Sequence, residues 1–345
     1  MTQRPRPASP VRIARRLAAR LPGVSGVHQT LAAVRAERER LRAERDRLRT
    51  ERDRLRGQRD AAADAHAARV EALAAPSFVA LLEKSKRQRE RARDVHGWVP
   101  AIWQHNAKDT GYDLARQLGI VHPAVYWRGT DLDGVDWAAL PDRVVLKSVD
   151  GASARGVFPL IREGHQWRSV FDGWRLDPGG LSARIGELTA SGRIHGELLL
   201  EEFLAHPGDP DALPFDWKVY CFGGEPHLVL QKDPRGTRRH TQAAFKFYDA
   251  AWDDLGPVRR PDQIDPDLPP PARPDALLET ARCVATALGE AFVRVDLFEG
   301  PEGPLFGEVT PHPGGDQWYG PELDARLGAA WEAAEVDLQT PATRR

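Results

Sequence analysis

The stretch that decides the fold is Phe292-Val-Arg-Val-Asp-Leu-Phe298, followed by a turn and by Leu305-Phe-Gly-Glu-Val-Thr-Pro-His-Pro-Gly-Gly315. The first part alternates and is rich in β-branched and aromatic residues, which predicts a strand. The Pro-Glu-Gly-Pro segment at 301–304 is typical of a turn. Residues 305–309 predict a second short strand, so that the pair forms a hairpin with Asp296 close to Glu308.

Two carboxylates on neighbouring strands repel each other unless a cation lies between them. Mg²⁺ uses few protein carboxylates and completes its octahedron with water and phosphate oxygens. Asp296 and Glu308 therefore predict a Mg²⁺ or Mn²⁺ site. The same repulsion predicts that removal of the Glu308 charge leaves the metal-free fold equally stable or slightly more stable. The alternative is two exposed acids on a polar hairpin face.

The order Arg-Val-Asp, turn, Glu-Val-Thr-Pro-x-Pro-Gly resembles the metal-binding end of the ATP-grasp superfamily. The Glu-Val-Thr form is similar to its TupA-like branch, named for teichuronopeptide biosynthesis. This resemblance implies that Asp296, Glu308 and Thr310 hold Mg²⁺ with ATP, with Thr310 where many relatives have Asn. It also implies that Gly314 and Gly315 line the acceptor side.

Motifs for the nucleotide phosphates occur earlier in the chain. Lys108 begins a predicted helix that ends at Gly119. Lys147 ends a predicted strand and precedes a loop of small residues, 148–156, whose backbone N–H groups can approach phosphate oxygens. The resemblance assigns phosphate contacts to Lys108, Lys147, Ser153, Gly156 and the catalytic residue Arg294. For Lys108, the alternative is an exposed lysine at a helix start.

A predicted strand at 197–204 runs into a hinge. The resemblance implies that the Glu201 side chain and the backbone of Glu202, Phe203 and Leu204 bind the adenine edge. The alternative for Glu201 is a surface acid at a strand end.

A second predicted hairpin, at 215–230, turns at Gly223-Gly224 and places Asp216 and Lys218 on one face. The resemblance implies that Asp216 contacts the ribose hydroxyls. It assigns to Lys218 a catalytic contact with the phosphates or the substrate. The alternative is an ion pair between these two side chains.

Residues 231–252 form a basic segment with Arg235, Arg238 and Lys246. A cationic loop beside a nucleotide site can bind an anionic substrate or the γ-phosphate. A mobile surface loop explains the same composition equally well.

The N-terminal quarter has a different character. Val34, Leu41, Leu48 and Leu55 recur every seven residues, which predicts a long charged helix over 28–75. Only one heptad position is apolar, so a single helix and a weak dimeric coiled coil both remain open. Residues 1–25 carry six arginines and no acid, which favours either a disordered basic tail or a peripheral anchor for an anionic membrane surface.

Composition excludes several classes of protein. A net charge of −1 in 345 residues does not favour nucleic-acid binding. Cys221 and Cys283 form no disulfide framework or zinc motif. The sequence contains neither an apolar run of membrane-spanning length nor a signal peptide. We therefore expect a cytoplasmic protein, with or without peripheral membrane contact.

The sequence and the resemblance together predict an α+β, ATP-grasp fold, in which two subdomains sandwich ATP behind a long charged N-terminal helix. We expect a basic tail at 1–27, the helix at 28–75 and a short segment at 76–140. The ATP-grasp domain then spans 141–335, with its hinge near 201–214, and a tail follows at 336–345.

The function that the resemblance implies is an ATP- and Mg²⁺-dependent ligase that joins a carboxylate to an amine through an acyl phosphate. The family places it in bacterial cell-surface polysaccharide or teichuronopeptide-like polymer biosynthesis. One alternative is a non-catalytic ATP-binding scaffold that recruits polysaccharide-assembly partners through its N-terminal helix. Another is a phosphotransferase of the same fold.

Overall fold

The computed structural model describes residues 22–98, 101–104, 108–149, 156–235, 242–314 and 317–340. The chain divides into two compact units, Met1–Ala75 and Pro76–Arg345. No helix within the described ranges is long and apolar enough to cross a membrane. The interpretations offered for the basic tail fall mostly on residues 1–21, which lie outside these ranges.

The first unit contains one long helix, α1 (Pro22–Ala74). The predicted N-terminal helix is therefore confirmed. Its heptad residues Val34, Leu41, Leu48 and Leu55 are between 52% and 62% exposed, so they form an apolar stripe that faces solvent within this unit. Neighbouring Arg and Asp or Glu side chains pair along the helix, as in Arg54 with Glu51.

Among its described residues, the second unit contains two antiparallel sheets and six α-helices. The strands of the first sheet pair in the order β1-β6-β2-β3-β4-β5. They are β1 (Val125–Gly129), β2 (Arg143–Ser148), β3 (Val157–Glu163), β4 (Gln166–Ser169), β5 (Arg175–Leu176) and β6 (Leu198–Glu202). The strands of the second sheet pair in the order β11-β10-β7-β8-β9. They are β7 (Asp216–Phe222), β8 (Glu225–Asp233), β9 (Ala244–Tyr248), β10 (Phe292–Glu299) and β11 (Pro304–Thr310).

The helices of this unit are α2 (Phe78–His96), α3 (Ala101–Gln104), α4 (Lys108–Gln117), α5 (Pro178–Ala190), α6 (Pro274–Leu288) and α7 (Pro321–Gln339). The structure differs from the expected domain boundaries in two places. Strand β1 pairs with β6, so the first sheet begins before residue 141. Helix α7 continues beyond residue 335.

Each sheet buries one face against a helix. In the first sheet, Val144, Leu146 and Leu200 pack with Leu181 and Ile185 of α5. Since side chains alternate along a strand, Lys147 and Glu201 face the other side. In the second sheet, Val219 of β7 and Val293 of β10 lie on the back face. They pack in one cluster with Leu277, Ala281 and Val284 of α6.

The front face of the second sheet is divided into two halves. One half is aromatic and centres on Phe78 of α2, which is fully buried. Five rings lie 5.1–6.1 Å from the Phe78 ring: Tyr220, Phe222, Phe292, Tyr319 and Trp331. The other half carries polar side chains, and we call it the polar half-face. Strand register brings together Asp216, Lys218, Lys232, Arg294, Asp296, Glu308 and Thr310.

Local sequence features hold α2 over the aromatic half. Ser77 caps the helix, because its side chain accepts a hydrogen bond from the backbone N–H of Ala80. Gly328 of α7 allows the chain to pass closely here, since a Cβ at this position would lie 2.4 Å from the backbone nitrogen of Ser77. The helix therefore covers one half of the sheet and belongs to its core.

All three buried clusters consist of residues from Phe78 onward. We therefore expect that deletion of residues 1–75 leaves the thermal unfolding transition of the second unit unchanged. The substitution Phe78→Ala in the shortened chain removes the ring at the centre of the aromatic cluster and should cost about 3–5 kcal/mol. Differential scanning calorimetry of the full chain, the shortened chain and the shortened chain with Phe78→Ala measures both effects. Loss of the cooperative unfolding transition on deletion of residues 1–75 alone would contradict the first expectation.

Candidate active site

Strand β10 lies between β7 and β11, and this position organises the polar half-face. Asp296 is in register with Lys218 on one side and with Glu308 on the other. Residues in register point to the same face, so the three side chains are neighbours. The hairpin predicted from the sequence, with Asp296 beside Glu308, is therefore present.

Protein cations already surround Asp296. Nε and Nη2 of Arg294 donate to the two carboxylate oxygens of Asp296, each at 2.6 Å. The Lys218 Nζ donates to the same carboxylate at 2.5 Å. Burial alone would lower the pKa of Arg294, but Asp296 outweighs it, and that pKa is raised. The sequence predicted that a metal ion would offset the charge of Asp296. In this structure, the side chains of Arg294 and Lys218 provide that positive charge.

Lys218 ties a second carboxylate into this group. Its Nζ lies 2.9 Å and 2.7 Å from the two oxygens of Asp216. Burial would lower the pKa of Lys218, yet Asp216 and Asp296 outweigh this effect and raise it. Asp216 and Lys218 do form an ion pair, while their contacts with ribose, phosphates or substrate stay predictions.

Glu308 is surrounded mainly by positive charge, which corrects the expectation of repulsion. Thr310 donates to Glu308 at 3.4 Å, and Nη2 of Arg294 lies 3.8 Å from the same oxygen. Burial would raise the pKa of Glu308, but Lys108, Lys218 and Arg294 outweigh it, and the pKa is lowered. Loss of the Glu308 charge should therefore reduce stability, contrary to the expectation from the sequence.

The donor set fits a metal only together with a ligand. The described residues hold no group of three or more His, Cys, Asp or Glu side chains that could bind a metal alone. Both oxygens of Asp296 already accept hydrogen bonds, and the Thr310 hydroxyl accepts one from Arg294 at 2.9 Å. Two carboxylates fit Mg²⁺ that arrives with phosphate oxygens.

The first sheet contributes a second buried polar group. Lys147 of β2 forms an ion pair with Glu201 of β6. The Tyr112 hydroxyl donates to Glu201 at 2.7 Å and accepts from Lys147 at 2.9 Å. Burial, and then Glu201, raise the pKa of Tyr112. Two side chains predicted to bind different parts of the nucleotide, Lys147 and Glu201, are thus partners.

Tyr112 is a site residue that was not predicted from the sequence. It lies one helical turn after Lys108, and residues four apart share a helix face. Its ring stacks on His122, with centroids 4.5 Å apart, and meets the edge of Phe306 of β11 at 6.3 Å. Tyr112 therefore connects α4 to both sheets. The signal in the sequence was the four-residue spacing from Lys108.

The hinge and the small-residue loop are described in part. The backbone N–H of Glu202 donates to the carbonyl of Ala124 at 2.8 Å, and its side chain accepts from the Ala124 N–H at 3.1 Å. Phe203 is buried and Leu204 half-buried at the end of β6. Gly156 has a φ of +75°, and a Cβ there would lie 2.9 Å from Ile194, so glycine is required. Ser153 lies outside the described residues.

Two of the predicted substrate residues, Arg235 and Lys246, contact groups outside the polar half-face. Arg235 pairs with Asp265 and lies 3.5 Å from Asp233. Lys246 donates to the carbonyls of Pro266 and Leu268, at 2.7 Å and 3.3 Å.

The face on which Lys246 lies follows from strand register. Lys246 pairs with Gln231, the neighbour of Lys232 on β8, and so lies on the opposite face. The carbonyl of Gly314 accepts from Gln317 at 3.0 Å. Arg238 and Gly315 lie outside the described residues.

Sequence comparison decides the family. The family described as TupA-like ATPgrasp matches residues 99–332, about two thirds of the chain. The chain belongs to this family. The TupA-like chain therefore has an ATP-grasp fold, as the hairpin motif predicted, and its two antiparallel sheets are those of that fold. None of the curated proteins matches the sequence.

Solved structures with similar backbones are distant relatives. A D-alanine–D-alanine ligase from Bacillus anthracis, complexed with ATP, is 14% identical with a TM-score of 0.41 over 68% of this chain and 65% of that one. The ATP-grasp ligase PsnB, complexed with a phosphomimetic variant of its minimal precursor, Mg and ADP, is 16% identical with a TM-score of 0.40.

An L-amino acid ligase from Bacillus licheniformis is 13% identical, with a TM-score of 0.40. The PsnB match covers 69% of this chain and 60% of that one, and the Bacillus licheniformis match 66% and 46%. The TupA-like chain thus spans less than two thirds of the length of these relatives.

The surroundings of Glu308 predict a pH-dependent contribution to stability. A carboxyl whose pKa is lowered on folding stabilises the fold above its unfolded pKa of about 4.3, and the effect disappears as the pH falls through the folded value. Because the Glu308 side chain is 38% exposed, we expect Glu308→Gln to cost only about 0.5–1 kcal/mol at pH 7 without metal.

Urea unfolding of the wild type and of Glu308→Gln at pH 7 and pH 3 measures this difference. The exposed hairpin glutamate provides a matched control, Glu302→Gln, which should have no effect. If Glu308→Gln is more stable than the wild type at pH 7, repulsion between Asp296 and Glu308 would be the dominant effect, contrary to this expectation.

Proposed function

We propose that the TupA-like chain is an ATP- and Mg²⁺-dependent ligase that joins a carboxylate to an amine through an acyl phosphate. The observation that carries this proposal is the polar half-face, where Asp296 lies between Arg294, Lys218 and Glu308 on one rigid sheet. A similar group lies on the first sheet, where Lys147 pairs with Glu201 and Tyr112 of α4 contacts both.

The proposed chemistry needs charge compensation and no protein nucleophile. A carboxylate oxygen of the acid attacks the γ-phosphorus, and the bond to the bridging oxygen breaks to release ADP. The amine then attacks the acyl carbon, phosphate leaves with the C–O electron pair, and the amine loses a proton. Mg²⁺, when bound, would offset negative charge on the β- and γ-phosphate oxygens.

Residues of this chain would hold the reactants in line. Arg294 and Lys218 are fixed by Asp296 and Asp216, so their charges are oriented before a ligand arrives, which is the preorganisation that transition-state stabilisation requires. Asp296 and Glu308 would accept Mg²⁺, while Lys108 and Lys147 would contact phosphates. The Glu201 side chain and the 202–204 backbone would bind adenine, with the ribose against Asp216.

The biological setting and the partners belong to the same proposal. The TupA-like family supports a role in bacterial cell-surface polymer synthesis. The exposed stripe of α1 supports either a weak homodimer or a recruiting surface for polymer-assembly partners. One apolar position per heptad supports both equally.

The test is release of ADP by the full chain against pairs of acids and amines. We expect ADP release that requires both an acid and an amine, with formation of the amide detected by mass spectrometry. The substitution Glu308→Gln should reduce turnover by roughly 100-fold or more while nucleotide affinity falls modestly, because the carboxylate acts mainly in the transition state.

Three results would contradict this proposal. Transfer of phosphate to an acceptor without any amine would indicate a phosphotransferase. Nucleotide binding without turnover on any pair would favour the scaffold. Full activity in Glu308→Gln would remove this residue from the metal site.

A further inference from the structure

The apolar stripe of α1 continues toward the start of the helix. Val27 and Leu31 lie on the same side as Val34 and are 59% and 47% exposed. Two shallow grooves follow the stripe on the helix surface. The first groove is lined by Gly26, Val27, Thr30, Leu31 and Val34. The second groove is lined by Leu41, Glu44, Arg45, Leu48, Arg49 and Arg52. Side chains of a second helix pack into grooves of this kind.

The charged residues beside the stripe repeat with the same period of seven. In a heptad abcdefg, position d holds the leucines Leu41, Leu48 and Leu55. Position g then holds the glutamates Glu37, Glu44 and Glu51. Position e holds the arginines Arg42, Arg49 and Arg56. If the leucines took position a instead, positions e and g would both hold arginine, and a second copy would be repelled.

The charges at positions e and g fit a second copy of the helix in one orientation. In a parallel, in-register pair, position g of one helix meets position e of the next heptad in the other helix. Each glutamate then meets an arginine, and the pairs are Glu37 with Arg42, Glu44 with Arg49 and Glu51 with Arg56. An antiparallel pair would bring arginine against arginine and glutamate against glutamate. The charges therefore favour the parallel pair.

The arginines at position e are available for such contacts. Within the described residues, no hydrogen bond or ion pair involves Arg42, Arg49 or Arg56. At position g, Glu51 pairs with Arg54 at 2.6 Å, and Glu37 lies 3.9 Å from an arginine one turn later. Pairs between exposed side chains contribute little to stability, so these glutamates can exchange their partners for arginines of a second copy.

The arginines at position a weaken this interface without abolishing it. Charged residues at position a lower the stability of a coiled coil. Arg45 pairs with Asp46 at 2.7 Å, so its charge is already offset. Arg52 pairs with Asp53 in the same way. The apolar stems of both arginines can cover leucine side chains while the guanidinium groups stay in water. We therefore expect a weak, reversible helix pair.

We propose that α1 is the interface of a parallel, in-register homodimer, in which a second copy of this chain covers the stripe. Each Leu48 enters the second groove of the other copy, as a knob enters a hole between four residues. The inference decides between the two partners that the proposed function leaves open. It holds whether or not the chain is a ligase. The parallel orientation places the C-terminal ends of the two helices side by side.

Sedimentation equilibrium of the full chain, at concentrations from roughly 1 to 100 µM, tests the dimer and its charge pairs. We expect the wild type to approach twice the mass of one chain as the concentration rises. Two reversed variants should stay monomeric, because like charges then face each other. The first variant carries Arg42→Glu, Arg49→Glu and Arg56→Glu. The second variant carries Glu37→Arg, Glu44→Arg and Glu51→Arg.

An equimolar mixture of the two reversed variants should form a one-to-one dimer, because every e and g contact becomes attractive again. This recovery shows that each variant still folds. The matched control reverses three arginines at position c, which lies outside the seam, and should dimerise as the wild type does. It carries Arg40→Glu, Arg47→Glu and Arg54→Glu.

Cross-linking tests the orientation. In a parallel, in-register pair, Val34 faces Val34 of the second copy, so Val34→Cys should form a disulfide-linked dimer on mild oxidation. Ala36→Cys, at position f on the opposite side of the helix, should not. The wild type controls for the native thiols, of which Cys221 is buried and Cys283 half-buried.

Each remaining outcome would overturn the inference. A wild type that stays monomeric leaves the stripe to a different protein, and reversed variants that dimerise alone show that these charges do not form the interface. A reversed pair that does not associate on mixing has the same meaning. A wild-type dimer without the Val34→Cys cross-link is not parallel and in register. A monomeric chain with ligase activity would leave the proposed reaction intact, whereas a dimer without that activity would contradict the reaction alone.

Discussion

The pairing of Asp296 with Arg294 and Lys218 is the interaction on which the rest of the second sheet depends. Asp296 has a side chain that is only 3% exposed, and Arg294 and Lys218 both form ion pairs with it. Removal of one partner from such a buried pair typically costs about 3–5 kcal/mol. The Lys218 contact with Asp296 joins β7 to β10, so the same side chains that could serve a ligand also fix the position of the strands.

The divided front face follows from this constraint. Where aromatic residues of β7 and β10 meet α2 and α7, the sheet closes into a core around Phe78. Where charged residues of the same strands meet, Arg294 and Asp296 are buried as a pair, because a buried charge is costly unless it is paired and hydrogen-bonded. Strands β7 and β10 therefore supply both stability and the candidate site.

Structural features that depend on neighbours along the chain could be predicted from the sequence. Side-chain contacts that depend on the register between distant strands could not. The β10–β11 hairpin follows from local alternation and a Pro- and Gly-rich turn. The contact of Lys218 with Asp296 joins residues 78 positions apart, and that of Tyr112 with Glu201 joins residues 89 apart. A basic segment does not reveal which lysines share a face, so Lys246 was selected and Lys232 was not.

The central claim is that protein cations occupy the carboxylates of the polar half-face until Mg²⁺ arrives with a nucleotide. Electron paramagnetic resonance of bound Mn²⁺, titrated against the full chain with and without ATP, tests it most directly. The account predicts no bound Mn²⁺ without nucleotide, bound Mn²⁺ with ATP, and loss of that signal in Asp296→Asn. Stoichiometric Mn²⁺ binding in the absence of nucleotide, or an unchanged signal in Asp296→Asn with ATP, would contradict it.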